Sequence, residues 1–502
     1  MGRRLSSRWL ELAVFSVGAA SLGAEIAGAR LLAPWFGAST IVWANTIAVV
    51  LVALSAGYSV GGRLADRDPR PEGLAWIILP SAILLAAVPF VSRPFLPLAV
   101  KAVDQLSVAT FLGSLLGVGA LLALPLFLIG MVSPYAIRLR VGSVDQAGRT
   151  AGRLYAVSTV GSLAGTFLAA LLLIPLVGTR RTFLILAGAM ALAALPLLGR
   201  RRLMATVVPV VILALIALPT GTLKSGFTAG GRVIWEKETE YQYARVVEEP
   251  DRTRYLELNE GHAVHSAYRP GVWLTGNYWD DMLASCLAGG SEPSSVAILG
   301  SAAGTTARQI GHYFPDTRVD AVEIDGDLTQ VGRELFDLHG PHLHTYTADA
   351  RPWLYASDST YDVIMVDAYR QPYVPFYLAT AEFFHLVKEH LNPGGVLLLN
   401  SAHPEGSQAL EKVLTATMSS QFGDGHVWRD PSEPTNTILV ADTGTPPVEG
   451  LEAALASVPS DLGAVVESEA ARLAPRLTGG RVYTDDLAPV EWLVDFSLAK
   501  VA

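Results

Sequence analysis

Hydrophobic residues fall into two regimes along this chain. Up to about residue 219 they form long unbroken runs, and beyond it they form short runs separated by polar and small residues. A helix that crosses a bilayer needs roughly 20 apolar residues. Residues 9–33, 41–61, 74–91, 108–131, 154–177, 182–198 and 203–219 are candidate spans. The last two are short and an eighth segment is available near 95–103, so the pattern predicts six to eight spans. The first run is too long, and lacks the cleavage pattern, for a removable signal peptide.

Residues 1–220 are therefore read as a multi-pass helical domain and 221–231, rich in Gly, Thr and Ser, as a linker. Residues 233–248 and 253–258 alternate apolar and polar positions as strands do. Asn259, Glu260 and Gly261 read as a hairpin turn, with 263–266 returning. This predicts a small β subdomain over 232–290. From 291 to 502 short strands alternate with helices. The strands are 296–299, 319–324, 344–347, 361–366 and 396–400, and the helices 305–313, 328–339 and 380–391. Such alternation implies an open, mostly parallel α/β sheet whose ligands bind beyond the carboxyl ends of the strands.

Four strand ends bring chemistry to that edge: the turn Gly300–Gly304, then Glu323, Asp349 and Asp367. A small-residue turn lets backbone approach a ligand, and an acid ending the next strand can bond ribose hydroxyls. Glu323 suits that role. Asp325 reads as a helix cap, Asp349 as either a ligand or a cap, and Asp362, which precedes its strand, as structural.

Charge sharpens the division. The chain has 502 residues and a net charge of −9, yet residues 1–220 carry 18 Lys+Arg against 7 Asp+Glu, leaving −20 for the rest. The acidic half argues against nucleic acid as a partner. One cysteine, Cys286, excludes an internal disulfide and a cysteine metal cluster. His262 and His265 lack further ligands at metal spacing, so no metal is expected. No serine is flanked as a nucleophile elbow requires. Arginines cluster near the N-terminus (Arg3, Arg4, Arg8) and at alternate turns (Arg63, Arg67, Arg70; Arg138, Arg140, Arg149, Arg153; Arg200, Arg201, Arg202), which places those segments in the cytoplasm. Seven spans would then put the acidic half outside, and six or eight would put it inside. Glu25 within the first span is either functional or a partner for Arg30. Gly161, Gly165, Ala169 and Ala170 suggest close helix packing.

The turn GSAAGTTAR, the strand VEID, the pair Asp349–Ala350, the run YDVIMVDAY at 361–369 and TAEFFHLVKEHLNPGGVLLLN at 380–400 resemble the spermidine synthase (polyamine aminopropyltransferase) family. Class I methyltransferases share this nucleotide half. The stretches AEIAGARLLAPWFGAST, GGRLAD, LIGMVSPYAIRL and GRLYAVSTVGSLAGTF are similar to the membrane-embedded, fused form of the family. The resemblance implies a Rossmann-like, class I methyltransferase-type domain that takes decarboxylated S-adenosylmethionine as co-substrate. An amine attacks the carbon beside the sulfonium and methylthioadenosine leaves. A free alkylamine has a pKa near that of Lys, about 10.4, so the site needs a carboxylate to take or hold its proton and orient the nitrogen. By resemblance Asp367 is that catalytic acid, Glu323 binds ribose, Asp349 with Ala350 receives adenine, and Gly300 and Gly304 form the loop.

The departures bear on substrate. Ala303 replaces an acid that holds the donor's ammonium, and Arg370 replaces one that holds the acceptor's far ammonium. Arg370 would suit an acceptor bearing a carboxylate or phosphate. Tyr278, Trp279, Asp280 and Asp281 are nearest to the family's Tyr-His-Glu run, and His265 replaces a glutamine. His265, Tyr278, Asp281, Tyr369 and Arg370 are thus expected at the substrate. Asp485 and Asp486, in TDDLAPVE at 484–491, either supply the missing carboxylates or belong to a turn. Three functions follow: aminopropyl transfer to an amine, methyl transfer from intact S-adenosylmethionine, or a transporter with a nucleoside-binding sensor domain. Expected partners are the bilayer, a small amine and a second copy of the chain. Because such donors are made in the cytoplasm, the expected location is the cell membrane with the C-terminal half cytoplasmic.

Overall fold

The computed structural model describes residues 7–36, 40–103, 109–219, 231–259, 263–370 and 373–501. The chain separates into two compact units. One is Met1–Ser225 with Glu236–Tyr243, and the other Gly226–Trp235 with Ala244–Ala502.

The first unit is built from α1 (Ser7–Phe36), α2 (Thr40–Arg67), α3 (Pro71–Val103), α4 (Ala109–Arg140), α5 (Val144–Phe167) and α6 (Ile174–Ala194). Among the described residues five helical runs are long and apolar enough to cross a membrane, by length and composition. The fifth run, Asp145–Gly199, covers two of the expected spans. Gly178 interrupts it with φ 82° and ψ 164°, which no helix sustains. Residues 95–103, expected as a possible extra segment, continue α3 past four internal prolines. A shorter apolar helix, Leu203–Ala217, follows.

Glycine sets the closeness of these helices. A Cβ on Gly165 would lie 2.0 Å from the Ala19 carbonyl oxygen, and one on Gly161 2.2 Å from that of Phe15, so α1 and α5 touch backbone to backbone. Gly57 and Gly130 do the same for α2 and α4. Where lipid removes the hydrophobic drive between helices, such contact supplies the packing energy. Arg180, two residues past the Gly178 break in α6, donates to the carbonyls of Leu215 (3.0 Å) and Pro219 (2.9 Å), so the last apolar helix ends beside that break. Arg30 bonds the Glu240 carbonyl, and Glu25 has no ion-pair partner among the described residues.

The second unit contains most of a four-stranded sheet in the order β1 (Arg232–Glu238), β2 (Tyr243–Glu248), β3 (Arg254–Leu258), β4 (Val264–Tyr268). The stretch 233–248, expected to alternate as strands do, is divided by a turn in which Thr239 Oγ1 accepts from the N–H groups of Tyr241 and Gln242. A larger sheet of eight strands follows: β5 (Ser295–Leu299), β6 (Arg318–Glu323), β7 (Leu343–Thr347), β8 (Tyr361–Val366), β9 (Leu391–Ala402), β10 (Val427–Asp430), β11 (Asn436–Asp442) and β12 (Ala474–Pro475). Its order is β12-β10-β11-β9-β8-β5-β6-β7. The five strands from β9 to β7 run parallel, and β11, β10 and β12 add an antiparallel edge. The sheet is thus mixed, Rossmann-like in its parallel part. Alternate residues feed opposite layers: Val296 and Ile298 pack with Ile310 and Leu462, while Ala297 and Leu299 pack with Phe383 and Leu414. The chain reverses direction across the sheet between β5 and β8, which opens a crevice at their carboxyl ends.

Candidate active site

β5 runs into Gly300, which has φ 93° and lies so close to the exit of β8 that a Cβ would fall 2.5 Å from Ala368 Cα. Only glycine lets the two exits meet. The loop continues through Ala302, itself at φ 46°, to Gly304 at φ 88°, which begins the helix Thr305–Tyr313. The N–H groups of Gly300 and Ser301 both donate to the Val322 carbonyl, tying the loop to β6.

Glu323 ends β6 beneath this loop. Its Oε2 accepts from Ala302 N–H (2.8 Å) and its Oε1 from Asp325 N–H (3.0 Å). Burial pushes its pKa up to about 7, against the opposing pull of those N–H donors. Asp325 caps the helix Gly326–Leu335 by accepting from Asp327 N–H.

Asp367 follows β8. The Tyr278 hydroxyl donates to its Oδ2 (3.0 Å) and the Asn400 amide to its Oδ1 (2.8 Å). Burial raises its pKa to about 7, and the two hydrogen bonds hold it from rising further. His265, Gly300, Ser301, Thr305 and Asp367 line one small cleft. A carboxylate poised near neutrality at the mouth of a glycine loop can take a proton from an incoming nucleophile. A second carboxylate one strand away can hold a diol.

Residues 278–426 match the spermine/spermidine synthase domain family. The C-terminal half carries a spermine/spermidine synthase domain. A probable polyamine aminopropyl transferase of Bifidobacterium longum is 40% identical over 194 residues, which is 38% of this chain and 43% of that protein. This chain thus spans less than half of that relative's length. The polyamine aminopropyltransferase of Vibrio vulnificus is 28% identical over 236 residues, 44% of this chain and 75% of that one. A solved probable spermidine synthase from Corynebacterium glutamicum aligns with 51% of this chain and 98% of its own, at 20% identity and a TM-score of 0.40.

Around the synthase domain's cleft the remaining expected residues take varied places. Asp349 caps the helix Ala350–Tyr355 by accepting from Arg351 N–H (3.2 Å), and its Oδ2 accepts from the Tyr377 hydroxyl (2.9 Å). It is a cap with one oxygen turned to a tyrosine, and Ala350 beside it is buried. The Tyr369 hydroxyl donates to the Asn400 carbonyl and accepts from Ala402 N–H, both at 2.7 Å, so it ties β8 to β9. Arg370 is exposed, and its backbone pairs with that of Tyr373. Asp281 is held by Arg472 (2.8 Å), a guanidinium it shares with Asp430, so it is engaged in that ion-pair network. Asp280 accepts from Thr275 N–H, Gly276 N–H and Gln309, a role in folding the preceding loop. Both oxygens of Asp485 meet the Arg351 guanidinium at 2.7 Å, and Thr380 Oγ1 donates to it as well. The pair with Arg351 holds its carboxyl below the usual range. Asp485 is therefore committed to fastening the turn at 484–487, and Asp486 is exposed. Ala303 is fully buried in an apolar cluster with Val331 and Phe336, its N–H donating to Ser266 Oγ (3.0 Å). His262 lies outside the described residues. Among the described residues no group of three His, Cys, Asp or Glu could hold a metal.

Two participants escape the sequence reading. Asn400 lies near the carboxyl end of β9, at the same edge as the acids, and a polar residue closing the apolar run VLLLN was its signal. Tyr377 reaches Asp349 from a single helical turn, Phe376–Leu378, too short for any periodicity to point to it.

Proposed function

We propose that this protein transfers an aminopropyl group from decarboxylated S-adenosylmethionine to an amine, releasing methylthioadenosine. The observation that carries this is Asp367: half-buried at the switch between β5 and β8, bonded once on each oxygen, and poised near neutral pH. The amine nitrogen forms a bond to the donor carbon as the carbon–sulfur bond breaks, and the electron pair leaves with sulfur. Asp367 takes the amine's proton and aims its lone pair. Glu323 binds the two ribose hydroxyls, and Asp349 with Ala350 receives the adenine. His265, Tyr278 and Arg370 flank the acceptor, and the synthase-domain match over 278–426 supports the reaction class.

Methyl transfer from intact S-adenosylmethionine is the second reading, favoured by Ala303. An apolar wall where the donor's tail ends offers no carboxylate to an ammonium and repels no carboxylate either. Competition between the two donors separates these readings. Methylthioadenosine release with an amine supports the first. Binding of the intact donor alone, with S-adenosylhomocysteine formed, establishes the second.

We also propose that the helical half is a multi-pass membrane anchor in which the five apolar runs cross the bilayer and its arginine-rich turns face the cytoplasm. Two arguments address the side of the C-terminal half. A donor made in the cytoplasm favours that side. The exit of the last apolar helix beside Arg180, away from the arginine-rich turns, favours the other. A C-terminal reporter fusion decides: activity in the cytoplasm supports the first placement, and activity only outside supports the second.

A further inference from the structure

Asp367 does not stand alone on its strand end. Its Oδ1 receives the Asn400 side-chain amide at 2.8 Å. The carbonyl end of that same amide, Asn400 Oδ1, receives the Asn436 amide at 2.9 Å. Thr435 Oγ1 in turn reaches Asn436 Oδ1 at 3.3 Å. A side-chain amide has a donating and an accepting end, and turning it over exchanges them. With Asn436 donating to its oxygen, Asn400 can present only its NH2 to Asp367. Asn400 is 3% exposed, so bulk water cannot substitute for this partner.

We infer that Asn436 is a positioning residue for the catalytic carboxylate, acting through Asn400 to keep a donor on Asp367 Oδ1. The inference rests on the reading of Asp367 as the group that takes the amine proton. Two consequences follow. The hydrogen bond favours the ionised carboxylate, the form that accepts a proton. It also fills one acceptor site from β9 while Tyr278 fills one on the other oxygen, which narrows the directions from which the amine can approach. The other ionisable groups near Asp367 are His265 across the cleft, Tyr278, Tyr369 and, behind Tyr278, Glu433. None of them touches Asn436 Nδ2, so a change confined to Asn436 reaches Asp367 through Asn400.

Three variants of the full-length protein in detergent test this: Asn400→Ala, Asn436→Ala and Asn436→Asp. Methylthioadenosine release is followed against pH. Wild type should lose activity on the acid side with a midpoint near 7, where Asp367 takes up its proton. Asn400→Ala removes the donor, and its acid limb should move up by about one pH unit. Asn436→Ala frees the amide to turn over, so a smaller shift in the same direction is expected. Asn436→Asp is nearly isosteric but only accepts. It should draw the Asn400 NH2 to itself, turn the Asn400 carbonyl oxygen onto Asp367, and shift the limb further than Asn436→Ala does. The added charge of Asn436→Asp raises the limb by itself, so the neutral Asn436→Ala decides: a merely structural asparagine predicts no shift there. An acid limb of Asn436→Ala that coincides with wild type would overturn the relay.

Infrared pH-difference spectra keep this separate from the reaction itself. The Asp367 carboxyl band is identified by its loss in Asp367→Asn, and its titration midpoint should follow the same order across the variants. If wild type releases no methylthioadenosine with any amine while the band midpoints keep that order, the assigned reaction fails and the relay stands. If the midpoints do not move, the relay fails whatever the reaction.

Discussion

Asp367, half-buried, and Glu323, buried, are carboxyls whose folded pKa values of about 7 stand above their ordinary 3.8 and 4.5. A raised carboxyl pKa means the folded state binds the proton more tightly than the unfolded chain does. Stability is then greatest below the unfolded value, falls as pH rises toward 7, and stays lost above it. Asp367→Asn removes that decline at one position. Its melting temperature should exceed wild type by a few degrees above pH 7, and the two should converge below about pH 4. Scanning calorimetry across that range checks this, and the same variant should release methylthioadenosine at least about 100-fold more slowly. Glu323→Gln leaves one oxygen where two N–H groups, Ala302 and Asp325, now have one each. Its methylthioadenosine affinity should fall by about 10-fold or more, read by titration calorimetry. Both acids were legible in the sequence because each closes a short apolar strand. What Asp349 and Asp485 do was not, since their partners Tyr377 and Arg351 lie 28 and 134 residues away.

Backbone contact decides which changes the elements tolerate. At Gly300 a methyl group would meet Ala368, and the backbone sits at φ 93°. Gly300→Ala should therefore cost about 2 kcal/mol or more in the stability of the C-terminal half, measured by denaturant unfolding. Gly165→Val places a branched side chain against the Ala19 carbonyl and should force α1 from α5. A lowered melting temperature of the detergent-solubilised protein, with the Asp367 infrared titration unchanged, is the expected result. Asp485→Ala releases Arg351, whose other hydrogen bond holds the Tyr377 carbonyl. Its effect should be a few-fold loss of methylthioadenosine affinity, passed through Tyr377 to Asp349. The central parallel strands β5 and β8 were readable because burial on both faces makes them nearly continuous apolar runs. β10, β11 and β12 were not read, because their pairing beside β9 depends on partners chosen in three dimensions. The fifth apolar run illustrates the same limit. Composition shows two apolar segments, and the conformation of Gly178 decides how they join.

For the molecule as a whole, the governing contrast is between a basic apolar half at net +11 and an acidic half at −20. If the apolar helices cross a bilayer, alkaline carbonate should leave the protein in the membrane pellet, and only detergent should release it. Recovery in the carbonate supernatant would place those helices on a surface instead. The sequence alone determined the two-part plan, the glycine turn and the acids at three strand ends. Those features rest on local quantities: run length, period, and the φ that only glycine reaches readily. Tertiary structure decided which residues share the site. Asn400 and Tyr278 meet Asp367 from positions 33 and 89 residues distant, while Asp281 and Asp485, acids of the same kind, are claimed by Arg472 and Arg351. A carboxylate's role is set by the donor that reaches it, and long-range packing chooses that donor.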